Sequence, residues 1–156
     1  MKAIIVNFVI SGMLLLMTVP ALSQQTGQQQ QQQQQMQQMQ QMQEMMQRMN
    51  GLMERNQQMN RDMNQRMQQA QNEQMRNQYQ MMHRFSEQMG MTLGNMKNAA
   101  ERCEMMLKDR EMMRDRQMQQ DMERMKKHLS DLTTEMDESL KTMERMVQRM
   151  KQRQPQ

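Results

Sequence analysis

The chain has 156 residues, a formal net charge of +4 at pH 7 and only 2% aromatic residues. This length fits one domain at most, and the near absence of aromatic and β-branched residues excludes a core built from a β-sheet. Acidic and basic residues are interspersed along the chain, whereas nucleic-acid-binding proteins usually cluster their basic residues, so we expect no nucleic acid as a partner.

Residues 1–23 match a secretory signal peptide. Lys2 is followed by an apolar run over residues 3–17, and Ala-Leu-Ser at residues 21–23 matches the small-x-small cleavage pattern. We predict cleavage after Ser23. The apolar run is shorter than the roughly 20 residues of a membrane-spanning helix, so we expect no stable membrane anchor and a periplasmic or secreted protein.

Residues 24–35 form a low-complexity leader that contains eight consecutive glutamines. The leader has no apolar face with which a helix could pack against a neighbour. We therefore predict that this Gln-rich N-terminal leader is disordered.

A first helix is predicted over residues 36–89. Methionines recur there every three or four positions, which is the a/d spacing of a heptad, and glutamine, glutamate and arginine fill the positions between them. The clearest part of this seam consists of Met39, Met42, Met46, Met49 and Met53.

Two glycines predict the end of this helix. Gly90 and Gly94 lie beside Thr92 and Asn95, a composition typical of helix ends and turns, so we assign a turn to residues 90–95. Asn95 is then a candidate N-cap for a second helix.

The second predicted helix covers residues 96–151, and residues 152–156 form a tail. Its best heptad row is Met122, Leu129, Met136, Met143 and Met150, with a partner row of Met125, Leu132, Ser139 and Met146. We predict an all-α fold in which two long amphipathic helices form a helical hairpin or coiled coil. Because one hairpin buries little apolar surface, we also expect a homo-oligomer.

Cys103 is the only cysteine, so the chain has no internal disulfide. In an oxidising compartment its thiol can join two chains. The alternative, which we favour, is that Cys103 is a small buried apolar residue, as free cysteines often are.

The choice of methionine needs an explanation beyond packing. From residue 24 onward the chain contains 27 methionines but six leucines, one valine and no isoleucine, although leucine specifies a core better. Several methionines also lie off the seams, where we predict that they point sideways and are oxidisable: Met45, Met59, Met75, Met105 and Met112.

One use of these thioethers is as a reductant, since methionine sulfoxide forms readily and reductases reverse it. The segments MQQMQQMQEMMQRM and MERMVQRMKQ resemble the methionine-rich bacterial periplasmic scavenger proteins, which act with a molybdenum-dependent methionine sulfoxide reductase against reactive chlorine species. The resemblance implies a sacrificial, reversible scavenger of reactive chlorine or oxygen species, a methionine sulfoxide reductase as its partner and no cofactor.

A second use is the binding of Cu(I) or Ag(I), which thioether sulfur prefers. M-x-x-M spacing places two or three sulfurs on one helix face, and this pattern resembles the methionine-rich segments of copper- and silver-resistance periplasmic proteins. The candidate ligands, which include two histidines, are Met36, Met39, Met42, Met82, His83, Met125, His128, Met143, Met146 and Met150.

A third interpretation is an exported coiled-coil module whose methionine-rich face binds other proteins. We expect no enzymatic activity, because the sequence lacks a Ser/His/Asp arrangement, a glycine-rich phosphate loop and a thiolate zinc motif.

Overall fold

This computed structural model describes residues 20–152. Most of them belong to three long helices. They are α1 (Pro20–Gln69), α2 (Glu73–Lys108) and α3 (Arg116–Gln152), with a short 3-10 helix at Met112–Arg114 before α3. This described range contains no strand, so the predicted all-α fold of long amphipathic helices is confirmed. No helix within it is long and apolar enough to cross a membrane.

The chain divides into two units, residues 1–36 and residues 37–156. In the first unit, residues 1–19 lie outside the described residues, and with them most of the predicted signal peptide. The predicted leader at residues 24–35 belongs to the first turns of α1, where the described glutamine side chains are mostly exposed. None of the described side chains at residues 30 and 32–35 is buried, as the absence of an apolar face predicted.

In the second unit, α1, α2 and α3 pack around two clusters of buried side chains. Residues 153–156, most of the predicted tail, lie outside the description. The first cluster contains Met42, Met45 and Met49 of α1, Met96, Ala100, Cys103 and Leu107 of α2, Met113 of the 3-10 helix, and Met122 and Leu129 of α3. The second contains Leu52, Met59 and Met63 of α1, Tyr79, Met82, Met89 and Leu93 of α2, and Leu140, Met143 and Val147 of α3. Along the chain, the α2 residues therefore run in the opposite order to those of α1 and α3, which defines an up-down-up arrangement of three helices.

The predicted turn at residues 90–95 is wrong, because Gly90 and Gly94 lie inside the continuous helix α2. The predicted helices at 36–89 and 96–151 are correspondingly wrong in their limits. The chain instead breaks twice, at residues 70–72 and at residues 109–115.

Short polar side chains mark the true helix starts. Asn72 caps α2, since its side-chain oxygen accepts a hydrogen bond of 2.8 Å from the backbone N–H of Met75. Asp115 precedes α3, and its carboxylate accepts a hydrogen bond of 2.7 Å from the backbone N–H of Gln117. Asn95, the N-cap that the sequence suggested, is in the middle of α2.

Gly90 serves helix packing instead of a turn. Asn56 of α1 is buried, and its amide donates a hydrogen bond of 2.9 Å to the backbone oxygen of Ser86 in α2 and accepts one of 2.6 Å from the Ser86 hydroxyl. A Cβ atom at Gly90 would lie 2.9 Å from Nδ2 of Asn56, whereas one at Gly94 would meet nothing within 4 Å. The absent side chain at Gly90 therefore allows α1 and α2 to approach closely around a buried polar pair.

Ion pairs join α1 to α3. The Arg55 guanidinium of α1 contacts Asp137 at 2.8 Å and Glu144 at 2.9 Å, both on α3. The hydrogen bond to Glu144 is the largest cause that raises the pKa of Arg55. Partial burial opposes this shift, and the hydrogen bond to Asp137 adds to it. Farther along, Lys151 of α3 contacts Asp62 of α1 at 2.9 Å. These pairs set the register of two parallel neighbouring helices.

Two glycine-to-alanine substitutions separate packing from turn formation. Alanine is the better helix former by about 0.5–1 kcal/mol, so Gly94→Ala should raise the free energy of unfolding by about that amount. Gly90→Ala should lower it by about 1–2 kcal/mol, because the new methyl group displaces the buried Asn56 amide from its hydrogen bonds. Urea denaturation followed by far-ultraviolet circular dichroism measures both changes. Equal destabilisation by the two substitutions would mean that these glycines do form a turn.

Candidate functional site

The 27 methionines from Met36 onward fall into three groups by exposure: eleven are buried, ten are partly exposed and six are exposed. The exposed side chains, with exposed fractions between 42% and 65%, are Met36, Met81, Met91, Met105, Met125 and Met146. All three helices contribute at least one of them. Accessible sulfur is therefore distributed over the described surface, while the largest group of methionines forms the core.

Two of the five methionines that we predicted to point sideways belong to the core. Met45 and Met59 are only 5% and 6% exposed, so the prediction is wrong for them. The reason is that α1 packs against two neighbours and buries a wider face than the single seam of a hairpin. Met75 and Met112 are partly exposed, and Met105 is fully on the surface.

Five methionines line a groove of about 810 Å³ between α2 and α3. Met81 and Met82 contribute from α2, and the others contribute from α3: Met143, Met146 and Met150. Phe85 of α2, an exposed aromatic side chain, also lines this methionine groove. Four of the ten predicted metal ligands, Met82, Met143, Met146 and Met150, are thereby brought together. Sequence reasoning missed Met81 and Phe85 as groove residues because their neighbours come from a different helix.

The groove exists because α3 buries only one of its two predicted heptad rows. In the core row, Met122, Leu129 and Met143 are buried as predicted. The predicted partner row of Met125, Leu132, Ser139 and Met146 is exposed instead. Its place in the core is taken by Thr133, Leu140 and Val147. Thr133 can be buried because its hydroxyl donates a hydrogen bond of 2.7 Å to the backbone oxygen of Leu129.

The remaining predicted metal ligands lie outside the groove. Met42 is fully buried, and Met39 is partly buried against the same core cluster. His83 lies 3.6 Å from Glu87 and does not line the groove, and His128 is exposed. Within residues 20–152, no three His, Cys, Asp or Glu side chains form a group that could hold a metal ion.

A pair of sulfur atoms lies elsewhere between α2 and α3. The Cys103 thiol is free and only 1% exposed, and it donates to Sδ of Met125 at 3.0 Å. Burial raises the pKa of the Cys103 thiol and so disfavours the reactive thiolate. The prediction that Cys103 is a small buried residue is confirmed. No local pattern could reveal its pairing with Met125, because the two residues lie on either side of the second chain reversal.

Comparisons of this chain with protein-family models, with curated proteins and with solved structures find no match. Its function is therefore inferred from the chemistry of its side chains and from where the fold places them.

Burial of Cys103 predicts slow alkylation. At pH 7 the native protein should react with iodoacetamide at least about tenfold more slowly than the protein unfolded in urea, because the buried thiol ionises poorly. Mass spectrometry of quenched samples gives both rates. Met125→Leu is the matched control, since it removes the sulfur acceptor, keeps the apolar side chain and should leave the thiol protected. Equal rates for native and unfolded protein would contradict the buried position.

Proposed function

We propose that the protein is an exported, sacrificial and reversible scavenger of reactive chlorine and oxygen species. The observation that carries this proposal is the contrast between its oxidisable side chains. Among residues 20–152 six thioethers are exposed, whereas Tyr79 is 0% exposed and the Cys103 thiol is buried, and the chain contains no tryptophan. Oxidants that reach the described surface therefore meet thioether sulfur, whose oxidation reductases reverse, before they meet the buried tyrosine ring and the buried thiol.

The chemistry requires no catalytic geometry. In the reaction with hypochlorous acid, a thioether sulfur gives up two electrons, an S–O bond forms, and chloride and a proton are released. A methionine sulfoxide reductase, the proposed partner, returns two electrons and two protons and releases water. Number and accessibility of the methionines then set the capacity of the protein, which fits surface sulfur on all three helices.

The buried methionines act as a reserve in this proposal. A sulfoxide is polar, so each core methionine that is oxidised forfeits part of the roughly 1.5–3 kcal/mol contributed by burying its side chain. Accumulated oxidation of the core opens the helices and exposes further sulfur. A leucine core would be better specified but would add no capacity, which accounts for the use of methionine at positions such as Met49 and Met63.

The proposed function also requires that the protein is exported. The signal-like residues 1–23 would direct the protein to the periplasm or the outside of the cell, where oxidants arrive first. Detection of a mature N-terminus at Gln24 in the exported fraction tests this part separately from the chemistry.

Hypochlorite added in graded amounts to dilute protein should oxidise it in two phases. In the first phase the six exposed methionines become sulfoxides while helicity is retained. In the second phase the partly exposed and buried methionines follow, and helicity falls because the core becomes polar. Intact mass counts the sulfoxides, peptide mapping assigns them, and circular dichroism follows the helices.

Leucine substitutions provide the control, since leucine keeps the apolar volume but lacks sulfur. Replacing the exposed Met91 and Met105 should reduce the first phase from six sulfoxides to four. Replacing the buried Met49 and Met63 should leave the first phase unchanged. Oxidation of all methionines in one phase, or of only one or two at high excess of oxidant, would contradict the proposal.

The methionine groove favours a second candidate function, the binding of Cu(I) or Ag(I) for metal tolerance. It places five thioethers from two helices around one groove, with Met81 and Met146 exposed, and such soft, uncharged ligands suit these cations. This function would need only a subset of the methionines, whereas scavenging draws on all of them.

Competition with a weak Cu(I) chelator in thiol-free buffer tests this second candidate. Met81→Leu and Met146→Leu should each weaken Cu(I) binding at least about tenfold, because each removes one sulfur ligand and keeps the apolar volume. Met91→Leu and Met105→Leu, which remove equally exposed sulfur outside the groove, should change nothing. Failure of the native protein to compete with the chelator would exclude the soft-metal function.

A further inference from the structure

The α2–α3 side of the helices differs from the α1–α3 side. Arg55 and Lys151 tie α1 to α3 through ion pairs, but no ion pair joins α2 to α3 within the described residues. Large apolar side chains are exposed there instead: Met81 at 65% and Phe85 at 51% on α2, and Met146 on α3. Contiguous exposed apolar surface of this kind often marks an interaction site.

The spacing of the exposed side chains on α3 indicates that a helix covers them. Ser139, Thr142, Met146 and Arg149 are exposed, line the groove at steps of three and four residues, and form a continuous row along α3. A row with this repeat stays on one side of a helix and forms a seam with a second helix, whereas a small ligand needs no such repeat. The methionine groove runs along this row, with Met81 of α2 on its other side.

The charges along the groove indicate that the covering helix is α3 of a second copy of this chain. Glu138 and Arg149 line the groove at two positions on α3, about 16 Å apart along the helix at 1.5 Å per residue. Arg149 has no ion pair within the part of the chain that the structure describes, and Glu138 contacts only Lys141, on its own helix, at 3.0 Å. If a second α3 crosses in the antiparallel direction, its Arg149 meets Glu138 and its Glu138 meets Arg149.

We infer that two copies of this chain associate through the methionine groove, with their α3 helices antiparallel about a twofold axis near Met143. Such an interface is isologous, so each copy contributes the same methionine surface and the same two charges. Met81, Phe85 and Met146 of one copy are covered by the groove of the other. This inference stands on packing and charge, and it does not depend on the proposed scavenging of oxidants.

Sedimentation equilibrium of the purified protein tests the association directly. The native protein should sediment as a dimer, and Met146→Glu should raise the dimer dissociation constant at least tenfold by placing a charge in the seam. Met105→Glu, at an equally exposed position outside the groove, should leave the constant unchanged. A native protein that stays monomeric up to millimolar concentration, or a dimer insensitive to Met146→Glu, overturns the inference.

Charge reversal tests the antiparallel arrangement. Glu138→Arg and Arg149→Glu should each weaken the dimer several-fold, and the double variant should restore it, because the two charges then exchange places across the twofold axis. Circular dichroism of each variant checks that the helices are retained. A double variant as weak as the single variants overturns the proposed axis.

Oxidative footprinting gives a readout on the native chain alone. At a protein concentration above the dissociation constant, Met81 and Met146 should form sulfoxide at least threefold more slowly than at low concentration, because the second copy covers them. Met91 and Met105, outside the groove, should react at the same rate at both concentrations. Equal protection at all four positions, or protection at none, contradicts the interface. The total number of oxidised methionines instead tests the proposed scavenging, so the two outcomes can be distinguished.

Discussion

Asn56 lies between α1 and α2 at the level of Gly90, with its amide bonded to both the backbone oxygen and the hydroxyl of Ser86. A buried amide that loses such bonds costs about 1–3 kcal/mol, so the two helices have one favourable register at this point. Thioether side chains above and below are flexible and tolerate many packings. The polar pair therefore decides which methionines of α1 and α2 enter the core and which remain at the surface.

The position of α3 follows from a different interaction. Arg55 of α1 reaches two carboxylates on α3, and Lys151 of α3 reaches a carboxylate on α1, so charged side chains of both helices lie together. Leu140 and Val147 then face inward. The row that contains Met125 and Met146 is left facing outward beside α2. The methionine groove lies where Met146 of this row and Met81 of α2 line the same surface.

The methionine core and the methionine surface have different physical roles in the same molecule. In the core, an unbranched and polarisable side chain fills space between three helices but defines the packing loosely. On the surface, the same side chain adds nothing to packing and leaves its sulfur open to oxidants, soft metals or a second apolar surface. The proposed functions draw mainly on this second population, and the first population would give the proposed scavenger a reserve.

The sequence by itself determined the helical class of the fold and much of the core. Methionines at three- and four-residue spacing predicted amphipathic helices, and residues such as Met42, Met49, Met122 and Leu129 are buried as that spacing requires. The burial of Cys103 was also predictable from its residue type. These inferences succeeded because they depend only on helical periodicity and on the transfer of apolar side chains from water.

Only the tertiary structure decided the number of helices, the side of α3 that faces inward and the residues that line the groove. Gly90 looks like a turn residue until Asn56, 34 positions earlier, is seen to occupy the space of its side chain. Met45 looks like a surface residue until α1 is seen to contact two neighbours. Each of these facts depends on contacts between different helices, and periodicity within one helix carries no information about which neighbours it will meet.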